Sequence, residues 1–217
     1  MRTCRRLGLR TVAVFSDADA RALHVLEADD AVHIGGSLAA DSYLNQAHVL
    51  EAARSSGARA IHPGYGFLSE NAAFAQAVID SGIAWIGPPP SAMRALGDKA
   101  RAKALAEMHE VPVLVGYHGD DQTPRTLQTH ADRVGYPLMI KASAGGGGRG
   151  MRVVALPADF AGALESAQRE ARASFGDDHV LLERYVARPR HIEVQIIGDA
   201  HGGLIYLGER ECSVQRR

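Results

Sequence analysis

Lys141 ends an apolar run that begins at Tyr136. Behind it come Ala142-Ser143-Ala144, the glycines Gly145, Gly146, Gly147 and Gly148, then Arg149-Gly150 and a second apolar run, Met151-Arg152-Val153-Val154. Glycine has no Cβ, so a run of glycines lets the backbone take positive φ and bring its N–H groups close to an anion. Phosphate is the ligand that suits this chemistry. The segment is not a P-loop, because no Gly-Lys-Ser/Thr closes it and the residues after it alternate as a strand instead of opening a helix. It fails the dinucleotide fingerprint for the same reason. The pattern predicts a hairpin with a glycine lid and, at its base, an ammonium that holds phosphate oxygens as a point charge. Glycines alone describe a floppy surface turn as well. The charge of Lys141 argues against that, since an unpaired cation in an apolar strand is costly.

Other residues with suitable chemistry are spread along the chain. Asp98 fits a helix N-cap, which puts Lys99 in the first turn. A cation there opposes the helix dipole by about 0.3–1 kcal/mol, and a bound anion would relieve it. A solvated surface lysine is the competing possibility. Glu183 sits in the middle of the strand-like run Val180-Leu181-Leu182-Glu183-Arg184-Tyr185. His191, Glu193 and Gln195 alternate with Ile192, Val194 and Ile196, so one face of that strand is polar and the other is expected to be core. The polar face either meets solvent or lines a cleft. Likewise Glu209-Arg210-Glu211-Cys212-Ser213-Val214-Gln215-Arg216-Arg217 is either a solvated tail or a charged site strand. The stretch His62-Pro63-Gly64-Tyr65-Gly66-Phe67-Leu68-Ser69-Glu70-Asn71 is either a ligand loop at a strand's carboxyl end or a packed turn with Tyr65 buried.

The elements that must position these residues change character along the chain. Arg2 to Leu7 looks like the last turns of a helix closed by Gly8. Strand-like runs at 10–15, 32–36, 58–61 and 83–86 then alternate with helical spacing at 42–56 and 72–81. That order predicts an open parallel sheet with helices on both faces. Gly87-Pro88-Pro89-Pro90 is the candidate boundary. Beyond it the spacing predicts helices at 91–96 and from 98 to 108, a strand at 111–115, a helix at 124–134, and the lid hairpin at 137–143 and 151–155. A long helix at 157–174, a strand at 180–185 and an antiparallel pair at 191–197 and 204–207 complete it. An α/β start thus leads into an α+β region.

Composition bounds the function. The 217 residues are 46% apolar and 23% charged, with a formal net charge of -1, so no polyanion-binding signature is present and nucleic acid is not an expected partner. Cys4 and Cys212 imply no disulfide framework. No apolar run reaches membrane length and no signal-peptide core follows Met1, so a soluble, cytoplasmic protein without a membrane partner is expected. The ten histidines are scattered without His-Glu-x-x-His or Cys-x-x-Cys spacing, and no metal site is expected from them.

The His62 to Asn71 loop with Ile61 before it, Gly97-Asp98-Lys99, Ile140-Lys141-Ala142-Ser143 with its glycines and Arg149-Gly150-Met151, Pro189-Arg190-His191, and Glu209 through Arg217 together closely resemble biotin carboxylase. That is the ATP-grasp component of biotin-dependent acyl-CoA carboxylases. The resemblance covers nearly the whole chain in the same order, and residues 113–122 look similar to the methylcrotonyl-CoA carboxylase type. It implies a Rossmann-like pre-ATP-grasp domain at 1–90 lacking its first strand, linker helices at 91–110, an ATP-grasp lid subdomain at 111–186, and the start of the second ATP-grasp half at 187–217. In that family ATP phosphorylates bicarbonate, carboxyphosphate releases carbon dioxide, and carrier-linked biotin is carboxylated, with Mg2+ as cofactor.

By the same resemblance Lys99 and Lys141 would contact the ATP phosphates, under a lid of Gly145, Gly146, Gly147, Gly148 and Gly150. Glu183 and the backbone near Val186 would hold the adenine, His191 and Gln215 would lie by the ribose and biotin pocket, and Tyr65 and Gly66 would approach biotin. Implied partners are a biotin carboxyl carrier, a carboxyltransferase and a second copy in a homodimer. The family's opening strand with its Asn-Arg-Gly-Glu turn is not in these residues. Nor are its bicarbonate-binding lysine and arginine, its magnesium-binding acids or its general-base glutamate. No complete catalytic set and no metal ligand are therefore expected here. The chain alone is expected to be inactive and to expose apolar surface that the full enzyme buries. Glu211 stands where the family usually has aspartate, which leaves its role open. A non-catalytic ATP-binding module, another ATP-grasp carboxylase and carbamoyl phosphate synthetase are the alternatives.

Overall fold

The computed structural model describes residues 1–144 and 150–214. Its first unit, Met1–Arg94, runs through α1 (Arg2–Arg6), β1 (Val12–Phe15), α2 (Leu23–Glu27), β2 (Asp30–His33), α3 (Gln46–Ser55), β3 (Ala60–Ile61), α4 (Ala72–Asp80) and β4 (Ala84–Trp85). Both α3 and α4 start at an asparagine whose side chain takes a first-turn amide: Asn45 accepts from His48 N and Asn71 from Phe74 N. The cap at Asn45 is why α3 begins at Gln46 and not at residue 42. Ala53, Leu68, Phe74, Val78 and Ile83 form the core of this unit, with Trp85 packed edge-on to Phe74.

Strands β1 and β2 pair in parallel, as do β3 and β4. The expected parallel pairing is present, but the expected single open sheet is not, because the two pairs form separate two-stranded sheets. A cavity of about 190 Å³ is lined by Val12 and Val14 of β1, Ala60 and Ile61 of β3, and Val49, Ala52 and Ala53 of α3. Alternation of strand and helix predicts which neighbours run parallel, not whether the pairs zip into one sheet.

The second unit, Ala95–Arg217, takes in the end of α5 (Pro90–Gly97) and then α6 (Lys99–Met108), β5 (Gly116–Tyr117), α7 (Pro124–Val134), β6 (Leu138–Ala142), β7 (Met151–Val154), α8 (Phe160–Phe175), β8 (Val180–Arg184), β9 (Ile192–Gly198) and β10 (Leu204–Glu211). Four strands form an antiparallel sheet in the order β5-β8-β6-β7. Period-two alternation sends Leu138, Ile140, Val154, Val180 and Leu182 to one face, where they meet Leu127, Ala131 and Val134 of α7 and Phe160, Leu164 and Ala167 of α8. Each large aliphatic buried there contributes about 1.5–3 kcal/mol. The other face carries Met139, Lys141, Leu181 and Glu183.

Two expectations need correction. The strand expected at 111–115 lies at Gly116–Tyr117 instead, and Gly116 packs so closely on the Leu182 carbonyl that no Cβ would fit. The hairpin β9–β10 is present in antiparallel register, yet the face expected to be core is open: Val194 and Ile196 are each 56% exposed. Alternation defines two faces of a strand, but a core needs a second layer, and none covers β9 among the described residues.

Candidate functional site

The polar face of the four-stranded sheet is organised around Glu183. Met139 is its register partner on β6, which leaves Lys141 on the same face one diagonal step away. Lys141 Nζ pairs with Glu183 Oε2, and Lys103 of α6 lies 2.6 Å from Oε1. The carboxylate is 7% exposed and the two lysines 16% and 26%, so the cluster is largely withdrawn from water. Burial pushes the Glu183 pKa up, but hydrogen bonds and charge from Lys103 and Lys141 outweigh it and hold the carboxyl below the ordinary glutamate range. Two ammonium groups on one carboxylate leave a net charge of about +1, which suits an anionic ligand.

Both ends of the glycine segment are anchored to this framework. Ser143 donates its hydroxyl to Asp98 Oδ2 at 3.0 Å, and Asp98 also caps α6 by accepting from Arg101 N at 2.8 Å. Burial raises the Asp98 pKa, and these hydrogen bonds outweigh it and hold the carboxyl low. Lys99 therefore starts α6, as expected, one turn before Lys103. At the other end Gly150, with φ of 68°, donates its N–H to Glu170 Oε1 at 3.1 Å, while Arg152 pairs with Glu170 Oε2 at 2.5 Å. The Gly150 carbonyl accepts from Ala142 N at 3.0 Å. The intervening Gly145, Gly146, Gly147 and Gly148, and Gln215 near the carboxyl end, lie outside the described residues.

The hairpin brings two sequence motifs together. Arg190 pairs with Glu211 Oε2 at 3.1 Å, the Ser213 hydroxyl donates to Glu211 Oε1 at 2.8 Å, and His191 N donates to Ser213 Oγ at 3.0 Å. Glu211 is thus engaged on both oxygens, and those bonds hold its pKa low. Val186 follows β8 in a half-exposed loop. In the first unit Tyr65 is 97% exposed, against the alternative that it is a buried packing residue, while Leu68 takes the buried position and Phe67 stacks on Tyr43 with ring centroids 5.2 Å apart. Gly66 has φ of 76°, and the His62 ring nitrogen Nδ1 accepts from Gly64 N at 3.0 Å.

Lys103 is a site residue that no sequence motif singles out. One signal was available: Lys99 and Lys103 are spaced i, i+4, a like-charge pair on one helix face that is unfavourable unless an anion lies nearby.

Known proteins resemble the chain over its whole length. Residues 1–93 match the model of the biotin carboxylase N-terminal domain, and residues 98–217 match that of the carbamoyl-phosphate synthase L chain ATP binding domain. The methylcrotonoyl-CoA carboxylase subunit alpha, mitochondrial, of Glycine max is 56% identical over 216 residues, which is 100% of this chain and 30% of that protein. The biotin carboxylase of Nostoc sp. is 50% identical over 217 residues and 48% of its length. Among solved structures, the biotin carboxylase complex with β,γ-ATP from Campylobacter jejuni superposes with a TM-score of 0.92 at 43% identity, over 97% of this chain and 47% of that one. The 2-oxoglutarate carboxylase biotin carboxylase domain of Hydrogenobacter thermophilus, a dimer with MgADP, ADP and bicarbonate, gives 0.90 at 42% identity, over 99% and 47%. The chain thus spans between about a third and a half of these relatives.

Proposed function

This chain belongs to the biotin carboxylase family, with that family's N-terminal domain followed by its ATP-binding domain, and from that premise we propose that it supplies the nucleotide-binding part of a biotin carboxylase. The observation that carries the proposal is the Lys103–Glu183–Lys141 cluster at the base of the glycine segment. A withdrawn site with one surplus positive charge attracts a triphosphate more strongly than the same charge in water. Lys141 and Lys99 are the residues to which we assign the phosphates, and Glu183 with the Val186 loop is assigned to the adenine end. Tyr65 and Gly66 of the first unit are assigned to biotin, for which an exposed aromatic side chain beside a glycine suits the flat ureido ring.

In the whole protein the activity would be carboxylation of carrier-linked biotin with ATP and bicarbonate, with a carboxyl carrier and a carboxyltransferase as partners, in a reducing, cytoplasmic setting. Magnesium would neutralise the phosphate charge during transfer. Among the described residues no group of three or more His, Cys, Asp or Glu side chains is placed to hold a metal ion.

The test is titration of the chain with a fluorescent, non-hydrolysable ATP analogue. Saturable binding is expected, weakened by about tenfold or more in Lys141→Ala, the loss of one charge-assisted contact. Absence of binding, or equal binding by both proteins, would overturn the assignment.

A further inference from the structure

Lys103 and Lys141 share one carboxylate, but they differ in what else holds them. Lys103 Nζ also donates to the Leu114 carbonyl at 3.3 Å, which fixes it between α6, the segment after it, and β8. Lys141, the more exposed of the two, lies four residues before the glycine run in the sequence. If Glu183 had Lys141 alone, that pair would be neutral. A nucleotide drawing Lys141 away would then strand a buried carboxylate without a counter-ion, which is costly.

We propose that Lys103 is a positioning residue that acts as the resident counter-ion of Glu183, so that Lys141 can turn from the carboxylate to the phosphates of a nucleoside triphosphate without leaving Glu183 uncompensated. The proposal rests on the nucleotide-binding assignment above. The i, i+4 spacing of Lys99 and Lys103 supports it, because the like charges crowd one helix face and Glu183 absorbs one of them.

The role works through Glu183, so a double-substitution cycle isolates it. Binding of the same ATP analogue is measured for Lys103→Met, which keeps most of the stem and loses the charge, and for Lys103→Arg. Both are made in the native chain and in a Glu183→Gln background, with Lys103→Gln in parallel so that misfolding of one variant does not decide the result. In the native background K103M and K103Q are expected to weaken binding about tenfold, and K103R to retain it within about threefold. In the E183Q background K103M should weaken binding by a clearly smaller factor than in the native one, because no buried carboxylate is left to compensate and only the direct attraction of Lys103 for the anion is lost. Equal losses in both backgrounds, no loss in the native one, or no rescue by arginine would overturn the proposal. If the native chain binds and K141A loses affinity while K103M does not, the nucleotide site stands and only the role of Lys103 falls. If the native chain does not bind, both fall together.

Discussion

Glu183 shows how one side chain on a sheet can set the chemistry of its surroundings. Both of its oxygens are engaged by lysines, and the residue is 6% exposed, so its replacement strands two cations in a poorly solvated place. Glu183→Gln is expected to destabilise the second unit by about 3–5 kcal/mol, the usual cost of breaking a buried pair from one side. Hydrogen exchange of the β6 and β8 amides reports this locally, and native-like protection in E183Q would contradict it. The pKa of Glu183 is depressed on folding, so its contribution is fully present above the ordinary glutamate value of about 4.3 and is lost as pH falls through the lower folded value. Exchange protection of β8 should therefore be flat from neutral pH down to about 5 and fall steeply below about 4. The steep part should flatten in E183Q.

Among the elements, the β6–β7 hairpin carries the glycine segment, and its closing end is held by Gly150. The φ of 68° at Gly150 is one that L side chains adopt only with strain, and an added Cβ would lie 2.9 Å from the Ala142 Cβ. Gly150→Ala is expected to cost about 1–3 kcal/mol and to loosen the Gly150–Glu170 bond that ties the hairpin to α8. Faster amide exchange at Met151 and Arg152, with α7 unaffected, would show it; unchanged exchange would mean that the hairpin tolerates the strain. The same element shows a gap in what sequence patterns convey. Its two strands and its lysine were legible from apolar runs flanking a glycine tract. The tie through Glu170 was not, since twenty residues of chain separate it from Gly150.

At the scale of the whole molecule, apolar surface left in the open is the dominant feature. Leu204, Ile205, Tyr206 and Leu207 of β10 and Val194, Ile196 and Ile197 of β9 are all exposed. Of these, Val194, Ile196, Leu204 and Tyr206 share one face of the hairpin, and an uncovered apolar face of this kind favours association. The purified chain is expected to show an apparent mass that rises with concentration in light scattering. Replacing the cross-strand neighbours Ile196 and Tyr206 together by threonine, which keeps strand propensity while adding polarity, should reduce that rise. A native chain that stays monomeric across the concentration range would contradict the expectation.

Most of the element order, the parallel pairs of the first unit, the β6–β7 hairpin and the candidate lysines Lys99 and Lys141 could be read from the residues alone, because helix and strand periods, caps and glycine tracts are local properties of the chain; the short helix α2 could not. Separation of the first unit into two parallel pairs, exposure of Tyr65 and the open face of β9 could not, since each depends on which layers meet. The sharing of Glu183 by Lys103 and Lys141 could not either: a carboxylate finds its cations through space, across eighty residues of chain in one case and about forty in the other, and only the packed sheet brings them within reach.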